Sequence, residues 1–480
     1  MRIIVGLLIV IGVLFLSCSE CDTPTNNTAP SVSIVTPASG DVPIGVVDVK
    51  AVITDDDSIS STSLYIDQAE IGSHSSIVSD TFFFSWDASN EQHGTERILE
   101  VCATDGNSHT SSDAVTITLV LGSGDGTIHD TDITSDETWS LAGSPHIINY
   151  WLDIENGATV TIEPGCVVKF NDDYDLTFNV GALIANGTSA APITFTSSSN
   201  NPASGDWEGL EFKGYNSSGS FEYCTIAYGG GMALPVIKVT DSAIVNIKNS
   251  TIRDCGMGMM VEHDARIGLD FNNNTFTRIN YYPIFMNADY VHRIGKTNTF
   301  SDNLRDTLLV DGGNVVGTVT WQKLDIPYLI FSPVYCGTSE QSGVLIIEPG
   351  VSFAMSTYGQ FVIGAQSRGG FIADGTGAQI SFNGNNPMPG QGEWNNIYFY
   401  PNADDDSCII RSCKIERGGI YGDGNIKIKD AMPTIVDDSI GHSAGYGIYL
   451  DGETPDPQIL EDNNTFYNNF LGPVNDPDSL

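Results

Sequence analysis

The sequence predicts an all-β protein in two parts, an N-terminal sandwich of short strands and a long C-terminal solenoid of β coils. Three observations support this prediction. Apolar and polar residues alternate with period two between residues 30 and 121, and a short motif recurs about every 24 residues after residue 127. The two halves of the repeating part also match each other, and no helical periodicity appears in them.

The N-terminus has the pattern of an export signal. Arg2 supplies a positive start, and an unbroken apolar run follows from Ile3 to Leu16. This run is too short to span a bilayer, and no later stretch is long and apolar enough to do so. We therefore expect residues 1–17 to be a signal peptide.

The signal segment ends in Ser17-Cys18, which resembles the lipidation box of bacterial lipoproteins, where a small residue precedes the lipidated cysteine. The resemblance implies that Cys18 carries a lipid. Residues 18–29 are short, polar and rich in Pro, Asn and Thr, as expected of a tether. We expect an exported lipoprotein of the outer membrane or cell surface. Cleavage without lipidation would give a secreted protein instead.

Residues 30–121 show regular short strands separated by turn signals, the pattern of a β-sandwich. The alternating apolar positions are Val47, Val49, Ala51 and Ile53, Leu64 and Ile66, Leu99, Val101 and Ala103, and Val115, Ile117, Leu119 and Leu121. Segments such as Ala51–Asp57 and Leu99–Asn107 resemble those of bacterial Ig-like domains. Because Cys102 is the single cysteine here, we expect packing around Trp86, rather than a disulfide, to hold the sandwich.

After a Gly-rich joint at residues 122–126, a motif of two polar residues and one apolar residue recurs. Its copies are Cys224-Thr-Ile226, Ser250-Thr-Ile252, Asn274-Thr-Phe276, Asn298-Thr-Phe300, Cys413-Lys-Ile415, Asp438-Ser-Ile440 and Asn464-Thr-Phe466. This period indicates a solenoid, because one coil cannot bury its own apolar row and stacked coils can. Coils of strands with small polar residues stacked at one turn resemble the right-handed parallel β-helices of the pectate-lyase-like class.

The repeating part is also duplicated as a whole, at an offset of about 182–189 residues. The matched anchors are Thr138-Trp139 with Thr320-Trp321, Glu163-Pro-Gly165 with Glu348-Pro-Gly350, Ala185-Asn-Gly-Thr188 with Ala373-Asp-Gly-Thr376, Ile193-Thr-Phe195 with Ile380-Ser-Phe382, Trp207 with Trp394, and Ile237-Lys-Val239 with Ile426-Lys-Ile428. We therefore expect a β-helix of two tandemly duplicated halves, residues 127–310 and 311–480.

The charge of the chain limits its partners. Lys and Arg total 20 against 60 Asp and Glu, a net charge of −40. This excludes a nucleic-acid backbone or an anionic membrane surface as the natural partner, and it permits divalent cations and neutral or cationic polymers. The adjacent carboxylates of Asp55, Asp56 and Asp57 follow a strand and are candidates for a calcium site, with an exposed acidic turn as the alternative. No other cofactor is expected.

Some enzymes of the pectate-lyase-like class cleave acidic polysaccharides with a carboxylate-bound Ca²⁺ and a basic residue that removes a proton. The acidic candidates here are Asp172-Asp173, Asp404-Asp-Asp406 and Asp437-Asp438, and the basic candidates are His263, Arg266, His292, Arg293, Arg411 and Arg417. No recognisable lyase or hydrolase motif joins them. A carbohydrate-active enzyme, either a Ca-dependent polysaccharide lyase or a glycoside hydrolase, is therefore the alternative function.

Aromatic residues that differ between the halves favour a binding surface. The tryptophans kept in both halves are interpreted as structural. Tyr398 and Tyr400 replace Glu211 and Lys213 on the strand face opposite Ile397 and Phe399, so they are expected to point outward, where they can stack on sugar rings. Trp151, Tyr281 and Tyr282 are further candidates in loops. We therefore predict a non-enzymatic surface protein whose Ig-like spacer and rigid β-helix bind carbohydrate or another cell-surface ligand, or mediate adhesion.

Overall fold

A computed structural model describes residues 28–43, 46–56, 58–75, 80–88, 95–120, 126–231, 234–262, 264–386 and 390–476. The chain divides into two units. The regular structure of these ranges is almost entirely β-strand, which confirms the predicted all-β fold class. No helix in these ranges is long and apolar enough to cross a membrane.

Eight strands form the Ig-like part. They are β1 (Ser31–Thr36), β2 (Gly40–Pro43), β3 (Val46–Thr54), β4 (Ile59–Ile66), β5 (Ala69–Ser75), β6 (Thr81–Asp87), β7 (Thr95–Asp105) and β8 (Thr110–Val120). They make a three-stranded sheet in the order β1-β3-β6 and a five-stranded sheet in the order β2-β8-β7-β4-β5. Most of the predicted period-two positions are buried, as Val49, Leu64 and Val101 show, and Trp86 is 8% exposed. Val115 is half-buried, and Leu121 lies outside the described residues. Cys102 is a free thiol, so packing holds these strands together.

The remaining elements form a parallel β-solenoid of about 13 turns. They are β9 (Thr127–His129), β10 (Glu137–Trp139), a 3₁₀ helix (Leu141–Gly143), β11 (His146–Ile148), β12 (Leu152–Ile154), β13 (Thr159–Ile162), β14 (Val167–Phe170), β15 (Asp175–Asn179), β16 (Ala182–Asn186), β17 (Ile193–Ser197), β18 (Gly209–Lys213), β19 (Ser218–Glu222), β20 (Cys224–Ala227), β21 (Pro235–Val239), β22 (Ile244–Lys248), β23 (Thr251–Arg253), β24 (Met257–Val261), β25 (Arg266–Ile267), β26 (Thr275–Thr277), β27 (Ile284–Met286), a second 3₁₀ helix (Ala288–Arg293), β28 (Thr299–Ser301), β29 (Leu308–Val315), β30 (Gly317–Trp321), β31 (Tyr328–Cys336), β32 (Gly343–Ile347), β33 (Ser352–Met355), β34 (Phe361–Ile363), β35 (Gly369–Asp374), β36 (Ile380–Gly384), β37 (Ile397–Phe399), β38 (Ala403–Arg411), β39 (Cys413–Glu416), β40 (Gly424–Lys429), β41 (Thr434–Val436), β42 (Ser439–Gly441), β43 (Tyr446–Asp451), α1 (Pro457–Asn463), β44 (Thr465–Tyr467) and β45 (Gly472–Val474).

Most coils contribute one strand to each of three faces. In the first copy these faces are A (β10-β13-β16-β19-β22-β25), B (β9-β11-β14-β17-β20-β23-β26-β28) and C (β12-β15-β18-β21-β24-β27). In the second copy, face A is β30-β32-β35-β38-β41, face B runs from β33 through β36, β39 and β42 to β44, and face C runs from β34 through β37, β40 and β43 to β45. The pairing is parallel, so each side chain lies over its counterpart in the previous coil.

The corners of the coils explain the Asn- and Asp-rich repeat. Many corner residues have positive φ, a backbone conformation that Asn and Asp tolerate better than other side chains. Between faces A and B these residues are Tyr223, Asn249, Asn273, Ser412 and Asp437; between faces B and C they are Tyr228, Asp254, Arg278, Asp302, Arg417, His442 and Asn468. These residues are spaced about one coil apart, so the same corner geometry repeats in successive coils.

The interior of the solenoid is one continuous apolar cluster. Its aromatic rings stack from coil to coil, as Phe170 does on Trp207 with ring centroids 3.9 Å apart. The duplicated tryptophans Trp139, Trp321, Trp207 and Trp394 are all buried, in agreement with a structural role.

The small polar residue of the short repeat forms a buried ladder within the wall. The Ser250 amide donates to Asn274 Oδ1 at 3.1 Å, and the Asn274 amide donates to Asn298 Oδ1 at 2.9 Å. The second copy repeats this pattern, because the Cys413 amide donates to Asp438 Oδ1 at 2.7 Å. Each rung of the ladder therefore satisfies a backbone group that the corner would otherwise leave buried without a partner.

The two copies stack with an offset of one face, which the sequence did not predict. Face C of the first copy ends at β27, and β27 pairs with the start of β29. The start of β29 pairs in turn with the start of β31, which pairs with β33 of second-copy face B. Strand β29 spans residues 310 and 311, so the expected boundary between the halves lies inside a strand.

Replacing Asn274 by Leu tests the buried ladder. The change removes the acceptor of the Ser250 amide and the donor to the Ile247 carbonyl, leaving two buried backbone groups without partners. We expect a loss of about 3 kcal/mol in the free energy of unfolding. Asn464→Leu, in the half-buried last coil, should cost about half as much, and the exposed Asn201→Leu is the control, expected within about 0.5 kcal/mol of the parent. Equal thermal unfolding midpoints for the three variants would contradict this register.

Candidate functional site

The outward residues of face C differ in chemistry between the two copies. In the first copy they are Asp153, Thr177, Glu211, Lys238 and Met260, and at the duplicated positions of the second copy they are Tyr335, Val362, Tyr398, Lys427 and Tyr449. We call the second set, together with Tyr400, the aromatic strip. Only the lysine is the same in both copies.

The strip lies in line along the solenoid, because its strands pair in parallel and in register. The neighbours of its members along the strands, such as Ile397 and Phe399, are fully buried, whereas Tyr398 and Tyr449 are partly exposed. Val362 is the buried member of the strip, with 4% of its surface exposed. The predicted outward orientation of Tyr398 therefore agrees with the structure. With strands about 4.8 Å apart, the four steps from Tyr335 to Tyr449 cover about 19 Å.

The rings of the strip are held by one another and by a cation. Tyr398 stacks on Tyr400 with ring centroids 3.9 Å apart. The Lys427 ammonium lies 4.8 Å from the ring centre of Tyr398 and 5.5 Å from that of Tyr449. Burial, and then the neighbouring Tyr400, raises the pKa of Tyr398 to about 12, so its hydroxyl remains a hydrogen-bond donor at neutral pH.

A chain of polar groups fixes Lys427 between the two tyrosines. Its ammonium lies 3.3 Å from a carboxylate oxygen of Asp423. Asn396 donates to that carboxylate at 3.1 Å, and Gln360 donates to Asn396 Oδ1 at 2.8 Å. In the first copy the equivalent Lys238 pairs instead with Glu211, the residue that Tyr398 replaces. This arrangement was missed by sequence reasoning, because Asp423 lies in a loop that the repeat does not define.

The other aromatic candidates lie away from the strip. Trp151 is 53% exposed and meets Tyr174 edge-on at 5.1 Å, at the start of the first copy. Tyr281 and Tyr282 pack edge-on at 4.5 Å, and the Arg305 guanidinium lies about 5 Å from both rings. Tyr282 is only 4% exposed, so its ring belongs to a packed cluster rather than to an open surface.

Several of the charged residues considered for catalysis make separate local contacts. Asp404 pairs with Arg368 at 2.6 Å, Arg411 pairs with Asp374 at 2.9 Å, and Arg417 donates to Asn383 Oδ1 at 3.0 Å. Asp172 and Asp173 line a groove of about 710 Å³ in the first copy together with Asp206 and Glu208. His263 lies outside the described residues.

A charged cluster on second-copy face B was not identified from the sequence. The carboxylate of Glu416 is 2.6 Å from the Lys414 ammonium and accepts a hydrogen bond from the Tyr467 hydroxyl at 2.9 Å. Burial opposes ionisation of Glu416, but the hydrogen bonds from Lys414 and Tyr467 prevail and lower its pKa. A carboxylate stabilised in this way is a poor proton donor, and its contacts fix the local structure.

The calcium candidates are only partly described. Asp56 accepts hydrogen bonds from the amide and hydroxyl of Thr28, at 3.3 and 3.1 Å, and Asp57 lies outside the described residues, as does Cys18. Within the described part of the chain, no group of three or more His, Cys, Asp or Glu side chains is placed to hold a metal ion. A calcium site at Asp55, Asp56 and Asp57 stays a prediction.

Comparison with known proteins agrees with the fold. The family model for the bacterial Ig domain matches residues 30–99, and that for the pectate-lyase like beta helix domain matches residues 126–236. No curated protein matches the chain. A solved structure of fibronectin(III)-like modules of CbhA from Clostridium thermocellum aligns at 25% identity over 19% of this chain and 47% of that one, about half its length, with a TM-score of 0.17. The two family matches support a surface or carbohydrate-related protein.

The buried Asp438 makes the stability of the second copy dependent on pH. Burial raises its pKa from 3.8 to about 7, whereas in the unfolded chain it ionises near 4. Between these values only the unfolded chain loses the proton, so the free energy of unfolding falls by about 1.4 kcal/mol per pH unit as pH rises, until about pH 7. Asp438→Asn keeps an acceptor for the Cys413 amide and removes this loss.

We therefore expect Asp438→Asn to raise the thermal unfolding midpoint at pH 8 by several degrees and to change it little at pH 4. Asp173, an exposed aspartate of the first copy, provides the control, because Asp173→Asn should leave the difference between the two pH values unchanged. A gain of equal size at both pH values would show that ionisation of Asp438 is not the cause.

Proposed function

We propose that this chain is an exported, lipid-anchored surface protein whose β-helix binds carbohydrate through the aromatic strip. One observation carries the proposal. Between the two copies the residues that face the core keep their apolar character, while four of the five outward positions on face C change, and all four become tyrosine or valine. Packing does not require this change, because the first copy folds in the same way with Asp153, Thr177, Glu211 and Met260 there.

The chemistry of the strip fits sugars. A tyrosine ring offers an apolar body for the C–H face of a pyranose and a hydroxyl tip for its polar edge. Lys427 adds an ammonium donor between Tyr398 and Tyr449. These side chains are already ordered by their mutual contacts, so binding costs little conformational entropy.

Binding is favoured over turnover. A lyase or hydrolase needs an acid and a base, or a metal and a base, that converge on one bond of the substrate. The described carboxylates nearest to cations, such as Asp404, Asp374 and Glu416, are each satisfied by a local partner. The strip itself holds aromatic rings and a paired lysine, which position a ligand without activating it.

The N-terminal sequence supplies the anchor of the proposed surface protein. A lipid on Cys18, followed by the tether at residues 18–29, attaches the chain to a membrane through its N-terminus alone. The Ig-like part then acts as a spacer, and the β-helix is the ligand-binding part. Such an arrangement serves adhesion to glycans on a neighbouring surface.

Replacing Tyr398 and Tyr400 by Ser tests the site. A glycan array probed with the chain from Ser19 onward, with and without Ca²⁺, should identify neutral glycans, and the double variant should bind them about tenfold more weakly because two stacking surfaces are lost. Tyr215→Ser is the matched control, since Tyr215 is 73% exposed and lies off the strip.

Unchanged binding by the Tyr398 and Tyr400 variant would place the site elsewhere, with Trp151 and then Tyr281 as the next positions to replace. The same protein incubated with uronate polymers and Ca²⁺ should release neither unsaturated products nor new reducing ends. Sustained release of either would overturn the binding function in favour of an enzyme.

Replacing Cys18 by Ala tests the anchor. Because the thiol is the point of lipid attachment, the variant should move from the membrane fraction to the soluble fraction and lose the mobility shift caused by the lipid. Cys21→Ala, three residues further along the tether, is the control and should remain with membranes. Membrane association of the Cys18 variant would show that the lipid is absent or dispensable.

A further inference from the structure

We propose that the aromatic strip takes an extended, neutral, β-1,4-linked polysaccharide chain, lying along the solenoid axis. This inference rests on the proposed carbohydrate binding and adds the class and the direction of the ligand.

The direction follows from the stacking of the coils. Tyr335, Tyr398 and Tyr449 come from three different coils of one flat face, and their strands cross the line that joins them. A ligand that contacts all three must therefore run across the strands, in line with the coils, and must stay straight for about 19 Å. An α-1,4-linked glucan curls into a helix and cannot follow the straight line of the three tyrosines, whereas a β-1,4-linked chain is a straight ribbon.

The spacing of the rings suits the same class. Tyr398 and Tyr449 are separated by one intervening coil, that of Lys427, which places them about 10 Å apart along the line. This distance is close to the length of a disaccharide unit in an extended β-1,4-linked chain. Alternate sugars can then contact successive tyrosines in equivalent ways, while Lys427 donates to the hydroxyls between them.

The charges of the strip select a neutral chain. Lys427 is paired with Asp423, and Lys429 on the same strand is paired with Asp451, each at 3.3 Å. Neither cation is therefore available to a uronate without breaking an ion pair, and the net charge of −40 repels acidic polymers. Hydroxyl groups, in contrast, can accept from the ammonium while its carboxylate partner stays in place.

Calorimetric titration of the full chain carrying Cys18→Ala tests the proposal. The probes are cellohexaose and chitohexaose as β-1,4-linked chains, maltohexaose as the α-1,4-linked chain, and hexagalacturonate as the acidic chain. We expect at least one of the β-1,4-linked hexasaccharides to bind tenfold or more tightly than maltohexaose and hexagalacturonate. Among oligosaccharides of the β-1,4-linked type that binds, the affinity should rise from the disaccharide to about the pentasaccharide. Longer chains should gain little further affinity, because they extend beyond the strip.

Variants at the two ends of the strip provide the sharper test. Tyr335→Ser and Tyr449→Ser should each reduce the affinity for the hexasaccharide about tenfold and leave that for the disaccharide within twofold, because the shorter ligand does not need both ends. Tyr215→Ser should change neither. Thermal unfolding within a few degrees of the parent confirms that each variant is folded, and Tyr449→Phe, which keeps the ring, should retain the affinity.

The outcomes separate the two proposals. Suppose that a glycan binds and that Tyr398→Ser weakens its binding. If maltohexaose then binds as tightly as the β-1,4-linked hexasaccharides, or if the variants at the two ends of the strip leave the dependence of affinity on chain length unchanged, the extended β-linked ligand is wrong. The carbohydrate-binding function stands in that case. If none of the hexasaccharides binds, or Tyr398→Ser leaves their binding unchanged, both proposals are wrong.

Discussion

Parallel hydrogen bonding between successive coils, in register, is the constraint on which the rest of the solenoid depends. Because each strand pairs with the equivalent strand of the next coil, a residue lies over its counterpart about 24 residues away. An apolar position therefore becomes part of a continuous core, and a polar position becomes part of a ladder. A position that points outward becomes part of a line on the surface, and this is how three tyrosines distant in sequence come to form one strip.

The same constraint decides what could be predicted from the sequence. The period, the coils and the buried Asn274 ladder follow from repeated motifs, and the orientation of Tyr398 follows from alternation with Ile397 and Phe399. Tyr335 and Tyr449 were not identified, because their membership of the strip depends on pairing between coils whose lengths vary. The offset of the copies was also not predicted, since the coil that causes it keeps the repeat motif Asn298-Thr-Phe300 and differs by having the 3₁₀ helix Ala288–Arg293 in place of a face A strand.

Duplication explains why the two copies share a core and differ on the surface. A substitution inside the wall must fit the coils above and below it, so inward positions such as Leu210 and its counterpart Ile397 keep their apolar character. An outward position is restrained only by its neighbours on the same line. When Glu211 gives way to Tyr398, the equivalent lysine loses its carboxylate partner, and Asp423 takes that role in the second copy.

The offset of one face also sets where the strip begins. The outward line of first-copy face C continues from Met260 into Phe285 and Leu309, which lie over face B positions of the second copy. The strip starts instead beside the 3₁₀ helix, where Asp289 accepts a hydrogen bond from the Asn314 amide at 3.0 Å, one coil before Tyr335. Its rings therefore have no aligned continuation in the charged line of the first copy. The junction thus limits the length of the aromatic strip at this end, and it places the proposed binding surface of the second copy on a different side of the solenoid from its duplicated counterpart.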